Sequence, residues 1–137
     1  MAGDRESNGR APGLPEAELE VLSHLRLMRQ ATAADLRALL ERRRPLTHAS
    51  VMTLLERLRE RGLVARRRAD VGKAYIYHPT RRAESAVQRT TQRFLDRAFN
   101  NDAVSMVSAL FGSRRPTPRE IAGLRELVAR LEERGAQ

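Results

Sequence analysis

The chain has 137 residues, no cysteine and a formal net charge of +9. That length supports one core, or one small core with an appendage that needs a partner, and the missing cysteine excludes disulfides, thiolate metal sites and cysteine nucleophiles. No apolar run approaches the ~20 residues of a membrane span, and residues 1–13 contain no apolar signal segment, so the expectation is a cytoplasmic protein without membrane insertion.

Residues 1–13 mix Gly, Asp, Arg, Ser, Asn and Pro without periodicity and read as a disordered arm, with Arg5 and Arg10 offset by Asp4 and Glu6. Leu14-Pro15 then opens a helix, the proline at its first position and Glu16, Glu18 and Glu20 near the positive end of the dipole. Ala17, Val21, Leu22, Leu25 and Met28 form its apolar stripe. Thr32-Ala33-Ala34-Asp35 resembles a capping box for a second helix with Leu36, Leu39 and Leu40 turned inward, and Pro45 breaks the chain after Arg42-Arg43-Arg44.

A third helix starts at Thr47 or His48. Val51, Leu54, Leu55 and Leu58 recur at i, i+3, i+4 and i+7 as its buried stripe, and Gly62 falls where a left-handed cap stops it. The opposite face carries Ala49, Thr53, Glu56 and Glu60, flanked by Ser50, Met52 and Arg57. Its first turn, His48-Ala49-Ser50, is small, polar and free of acids. Short side chains of that kind let a backbone approach base edges, with hydroxyls to bond and methyl groups to meet thymine.

Leu63–Arg68 reads as a strand and Ala74–His78 as a second one with tyrosine and isoleucine alternating, joined by the turn Asp70-Val71-Gly72-Lys73. Three helices followed by a hairpin, with a short connection between the second and third, compose a winged helix-turn-helix. From Arg42 to Arg82 the chain holds twelve Arg or Lys against three acids, while the remainder carries fourteen of each sign. The entire excess charge therefore belongs to this unit, as expected of a surface that binds a phosphate backbone.

Beyond Thr80 the pattern is helical only. Val87, Thr91, Phe94, Leu95 and Ala98 mark a long helix, with Phe99 at its end. Asn100-Asn101-Asp102 breaks it and caps a short helix striped by Val104, Val107, Leu110 and Phe111. Thr117-Pro118-Arg119-Glu120 supplies cap, first-turn proline and capping-box acid for a last helix with Ile121, Leu124, Leu127, Val128 and Leu131 on one face, ended by Gly135. Single stripes of this kind hardly close a core alone and point to a second copy of the chain. The organisation expected is an arm over 1–13, a winged-helix DNA-binding domain over 14–80 and a helical dimerisation domain over 81–137, mainly α with a small β-hairpin wing.

His48, Ala49, Ser50, Met52, Thr53 and Arg57 are the candidate base-reading residues, although Met52 serves equally well as filler at a core edge. Arg66, Arg67, Arg68 and Lys73 are the candidate phosphate contacts, and Tyr75 and Tyr77 brace the hairpin. Val87, Phe94, Leu95, Phe99, Val107, Leu110, Phe111, Ile121, Leu124, Leu127, Val128 and Leu131 are the candidate dimer contacts. His24, His48 and His78 lack metal-ligand spacing, so no metal or cofactor is expected. There is no nucleophile elbow, phosphate-binding glycine loop or HExxH, and hence no enzyme. A non-specific RNA-binding or architectural protein would use the same charge without reading sequence.

The segments Leu14–Leu22, Ser50–Leu58 with Gly62-Leu63-Val64, and Tyr75-Ile76-Tyr77-His78-Pro79 resemble the penicillinase and methicillin-resistance repressors of BlaI/MecI type, and Thr91–Leu95 with Leu110-Phe111 is similar to their dimerisation region. The resemblance spans about residues 14 to 134. It implies a homodimeric repressor that sets its third helix in the major groove of an inverted-repeat operator. It also implies a membrane-bound metalloprotease sensor that triggers cleavage between an asparagine and a phenylalanine; here Leu110 precedes Phe111, so the asparagine is not matched. The family's copper-responsive branch uses C-terminal cysteines, which this chain lacks.

Overall fold

The computed structural model describes residues 14–136, and the arm expected over 1–13 lies outside them. Helices α1 (Glu16–Met28), α2 (Ala33–Leu40) and α3 (His48–Glu60) precede strands β1 (Val64–Arg68) and β2 (Tyr75–Pro79), followed by α4 (Arg81–Phe99), α5 (Ala103–Leu110) and α6 (Pro118–Ala136). This is the expected winged helix-turn-helix with a helical continuation. The chain divides into two compact units, one ending at Arg93 and the other beginning at Phe94, within α4.

In the first unit, Val21, Leu22 and Leu25 of α1 meet Leu36 and Leu40 of α2 and Val51, Leu54, Leu55 and Leu58 of α3, all buried, with Val64, Tyr77, Ala83 and Ala86 closing the core. Three expectations shift. Pro15 is the N-cap of α1 rather than its first residue, because its extended ψ of 146° lets only its carbonyl, accepting from Leu19, join the helix. Met28 is 37% exposed, since Arg29 turns the chain away at a φ of 73° directly after it. Leu39 is 46% exposed, because eight residues of helix turn one narrow stripe, Ala33, Leu36 and Leu40, to the core.

Capping follows the sequence closely. Thr32 Oγ1 accepts from the Asp35 amide and Asp35 accepts from the Thr32 amide, both at 3.1 Å. At the end of α3 the Gly62 amide donates to Arg59 and the Leu63 amide to Leu58, with Gly62 at a φ of 76°. This is the paired bonding of a left-handed helix stop, and it delays β1 by one residue relative to the expected strand. Gly72 takes a φ of 86° in the hairpin turn.

In the second unit Asn100 and Asn101 adopt left-handed φ values of 49° and 65°, which asparagine tolerates, and the Asp102 carboxylate accepts from the amides of Val104 and Ser105 to start α5. α6 begins with the expected box, Glu120 N–H to Thr117 Oγ1 at 3.0 Å and Thr117 N–H to Glu120 Oε1 at 2.9 Å. It runs through Gly135 to Ala136 instead of ending there, since glycine costs a helix only about 1 kcal/mol against alanine. Neither α5 nor α6 contains a buried residue.

Glu120 also accepts two bonds from Arg114 at 2.8 Å. The Arg114 guanidinium, then the Thr117 amide, hold its carboxyl at about 2, below the ordinary 4.5. A depressed carboxylate stabilises fully above its unfolded value, and that contribution fades as pH falls from 4.5 towards 2. Following the Glu120 carboxyl carbon by NMR should give a midpoint near 2, moved upward by Arg114→Ala; a midpoint in the usual carboxylate range would show that the bonds do not form in solution.

Candidate nucleic-acid interface

The interface begins with what fixes α3 and the wing to one another. The Ala31 amide donates to the Tyr77 carbonyl at 3.0 Å, and the Tyr77 amide returns a bond to Ala31 at 2.8 Å, so the link between α1 and α2 adds a one-residue third strand to the hairpin. Tyr77 is 1% exposed and its hydroxyl donates to Met52 Sδ at 3.8 Å. On the other side of the wing, the Thr80 amide donates to Leu63 and the Thr80 hydroxyl to Gly62, at 2.9 and 2.6 Å. The wing is therefore clamped along the outer edge of β2 to the link between α1 and α2, and at its base to the end of α3.

Strand register sorts the arginines. Arg66 pairs with Tyr77, Arg67 with Ile76 and Arg68 with Tyr75, so Arg66 and Arg68 share a face with the tyrosines while Arg67 lies on the other. The Arg66 guanidinium sits 4.0 Å from the Tyr75 ring centre and 3.7 Å from Glu56. A hydrogen bond to Tyr77, then the carboxylate of Glu56 nearby, raise its pKa above the usual arginine value, and it is a cation at every working pH. Arg68 is 5.3 Å from the Tyr75 ring and exposed. Arg67 is exposed and donates to Gln30 at 3.1 Å, and Lys73 is exposed at the turn.

On α3, His48, Ala49, Thr53 and Arg57 are exposed, whereas Ser50 and Met52 are half-buried. Met52, bonded by Tyr77, lies at the edge of the core. Thr47 Oγ1 accepts from the Ser50 amide and donates to the Ser50 hydroxyl, at 3.0 and 2.9 Å, which leaves the Ser50 proton available outward. Thr53 donates to the Ala49 carbonyl at 3.0 Å, so in this rotamer it offers a partner lone pairs and a methyl group, not a proton. Met52, Thr53, Glu56, Arg57, Glu60 and Arg66 line a groove between α3 and β1. Glu56 would oppose a phosphate there, but Arg59, bonded to it at 2.6 Å, lowers its pKa first and Arg66 adds to the neutralisation.

Two features of this region escaped the sequence. Glu18, expected near the positive end of the α1 dipole, is 1% exposed and accepts from Arg61, the C-cap of α3, at 2.9 Å. Arg44 is drawn off the basic run by Glu20, which raises its pKa through a hydrogen bond and its charge, while Arg42 and Arg43 stay exposed before α3. Only the i, i+4 spacing of Glu16 and Glu20, at the opening of an apolar helix, hinted that acids there had partners elsewhere.

The candidate dimer contacts separate by unit. Val87 packs against the core of the first unit. In the second, Phe94 is exposed with its ring 5.9 Å from Phe99, and Val107, Leu110, Leu127, Val128 and Leu131 are exposed. Leu95, Phe99, Phe111, Ile121 and Leu124 are half-buried. Among the described residues no group of three or more His, Cys, Asp or Glu is placed to hold a metal ion, and no helix is long and apolar enough to cross a membrane.

A family model described as penicillinase repressor matches residues 14–130. Among solved structures, a mutant MarR from E. coli complexed with operator DNA superposes with a TM-score of 0.55 at 18% identity, over 86% of this chain and 75% of that one. YusO from Bacillus subtilis gives 0.54 at 15% identity, over 88% and 76%, and a MarR-family transcription regulator gives 0.54 at 22%, over 90% and 73%. At those identities the likeness is one of fold. No curated protein matches the chain.

Because Tyr77 is what joins wing to helices, Tyr77→Ala should destabilise the first unit by about 3–5 kcal/mol in urea unfolding, as for other buried aromatics. Amide exchange at Ala31 and along residues 64–79 should quicken with it. A wing that keeps its protection in that variant would show that the clamp lies elsewhere.

Proposed function

Since the chain belongs to the penicillinase repressor family, we propose that it represses transcription by binding double-stranded DNA as a homodimer at an inverted-repeat operator. The observation that carries this reading is the coincidence of charge and geometry: the whole +9 excess lies between Arg42 and Arg82, on the unit in which α3 and a clamped wing present exposed cations together. Support comes also from a fold neighbour that is complexed with operator DNA. Ala49, Ser50, Thr53 and Arg57, with His48 and Met52 beside them, read base edges in a major groove; Arg66, Arg67, Arg68 and Lys73 hold phosphates. Such a protein acts in the cytoplasm and without catalysis.

Support for the dimer comes from α5 and α6, whose exposed Val107, Leu110, Leu127, Val128 and Leu131 a second copy would cover. A twofold axis then sets the two third helices about 34–36 Å apart, in successive major grooves. A membrane-bound metalloprotease sensor enters as a partner through the family alone, since leucine stands where the cleavage asparagine is expected.

Affinity for a selected site should fall about 10³- to 10⁵-fold between 50 and 200 mM salt if some 6–10 phosphates are neutralised. Arg57→Ala should cost about 1–3 kcal/mol on that site and relax base preference, whereas Arg67→Ala should weaken all duplexes alike and reduce the salt slope by about 1. Gel shifts in which both variants lose selected and random DNA equally would favour a non-specific nucleic-acid binder. For the dimer, sedimentation should give two chains per particle, and Val128→Asp with Leu131→Asp should give one; a monomeric parent chain contradicts the assignment.

A further inference from the structure

A second basic feature of the first unit lies outside the groove beside α3. Arg61, Arg82 and Arg89 line one cleft, together with Leu14, Leu63 and Ala86 and the side chain of Thr90. The fold brings the cations there for a definite reason. Gly62 ends α3 in the left-handed conformation, and the space a Cβ would take is filled by the Arg82 guanidinium, whose Nη1 lies 2.9 Å from that position. Thr80, bonded to Gly62 and Leu63, fixes the start of α4 over the same turn, and Arg89 follows Arg82 by two helical turns on one side of α4.

Acids among the described residues balance only Arg61 of this cluster. Glu18 bonds only to Arg61, through Nε, and Glu84, the acid in the first turn of α4, is taken by Arg26 at 3.0 Å. Among the described residues neither Arg82 nor Arg89 has an ion pair. The Thr90 hydroxyl spends its proton on the Ala86 carbonyl at 3.0 Å and so presents no competing donor in this rotamer. Arg82 and Arg89 thus stand beside an apolar floor without an acid partner, and guanidinium groups suit carboxylate and phosphate oxygens in paired geometry.

We propose that the cleft formed by Arg61, Arg82 and Arg89 over Leu14, Leu63 and Ala86 binds a small organic anion: a carboxylate or phosphate headgroup on an apolar body. The headgroup lies between the guanidinium groups and the body covers the leucines. This site is separate from the proposed DNA contacts, and its test contains no DNA, so it stands or falls independently of the repressor reading.

The experiment is an NMR titration of the full chain, following the amides of Gly62, Leu63 and Ala86 with hexanoate, hexyl phosphate, hexanol and inorganic phosphate as probes. At least one of the two amphiphilic anions should shift these amides at millimolar concentration, and which one does so identifies the headgroup. Hexanol and inorganic phosphate should bind at least about tenfold more weakly, since each lacks half of the complement. Arg82→Gln and Arg89→Gln should each lower affinity about tenfold, the scale of one lost charge-assisted bond. Arg89 is exposed, so its substitution leaves the fold intact and keeps the test decisive should Arg82→Gln disturb Gly62. Absence of shifts with both anions, equal binding of hexanol or of inorganic phosphate, or indifference to Arg89→Gln would overturn the proposal.

Discussion

The structure depends on a small antiparallel contact, the two backbone hydrogen bonds between Ala31 and Tyr77. Each end of that contact is buried, with Ala31 at 4% and Tyr77 at 1% exposure, so neither bond competes freely with water. Through it the link between α1 and α2 becomes part of the wing, and the tyrosine ring reaches Met52 of α3. A two-stranded hairpin alone is marginal in water; joined to the helices at Ala31 and at Thr80 it is part of the core. The arginines of β1 consequently have positions defined relative to the exposed face of α3, which is the condition for a surface that does more than attract phosphate.

Electrostatics in this unit follow from the same packing. The acids between residues 14 and 60 are mostly spent within the fold: Glu18 on Arg61, Glu20 on Arg44, Asp35 on its own cap and Glu56 on Arg59. Partly solvated ion pairs such as Glu56 with Arg59 contribute little to stability, but they remove negative potential from the groove beside α3. Arg57, Arg67, Arg68 and Lys73 remain exposed. The second unit has a different character, with apolar side chains exposed on α5 and α6 and capping bonds holding each helix start.

Much of this was legible because local chemistry and global fold agree. The stripe of α3, the Thr32 and Thr117 boxes, the Asp102 cap and the left-handed Gly62 and Gly72 all depend on residues within one turn of each other, which a sequence displays directly. What stayed hidden depends on partners far along the chain. Ala31 is a strand of one residue and has no period to detect. Arg29 adopts a left-handed conformation that its side chain does not announce, and that turn is what leaves Met28 half outside. The burial of Glu18 gave no local sign because its cation lies forty-three positions later. For the interface, the types and face of the α3 residues were readable, whereas the withdrawal of Met52 to the core edge and the stacking of Arg66 on Tyr75 required the hairpin register.

The central claim is that α3 and the clamped wing together distinguish one duplex from another. The direct measurement is competition: a site selected by the purified protein from random duplexes, challenged with unselected DNA at physiological salt. Preference for the selected site by at least about 10³-fold is what a sequence reader of this shape gives. Equal competition by the two DNAs would contradict the account, because charge alone would then explain all of the binding.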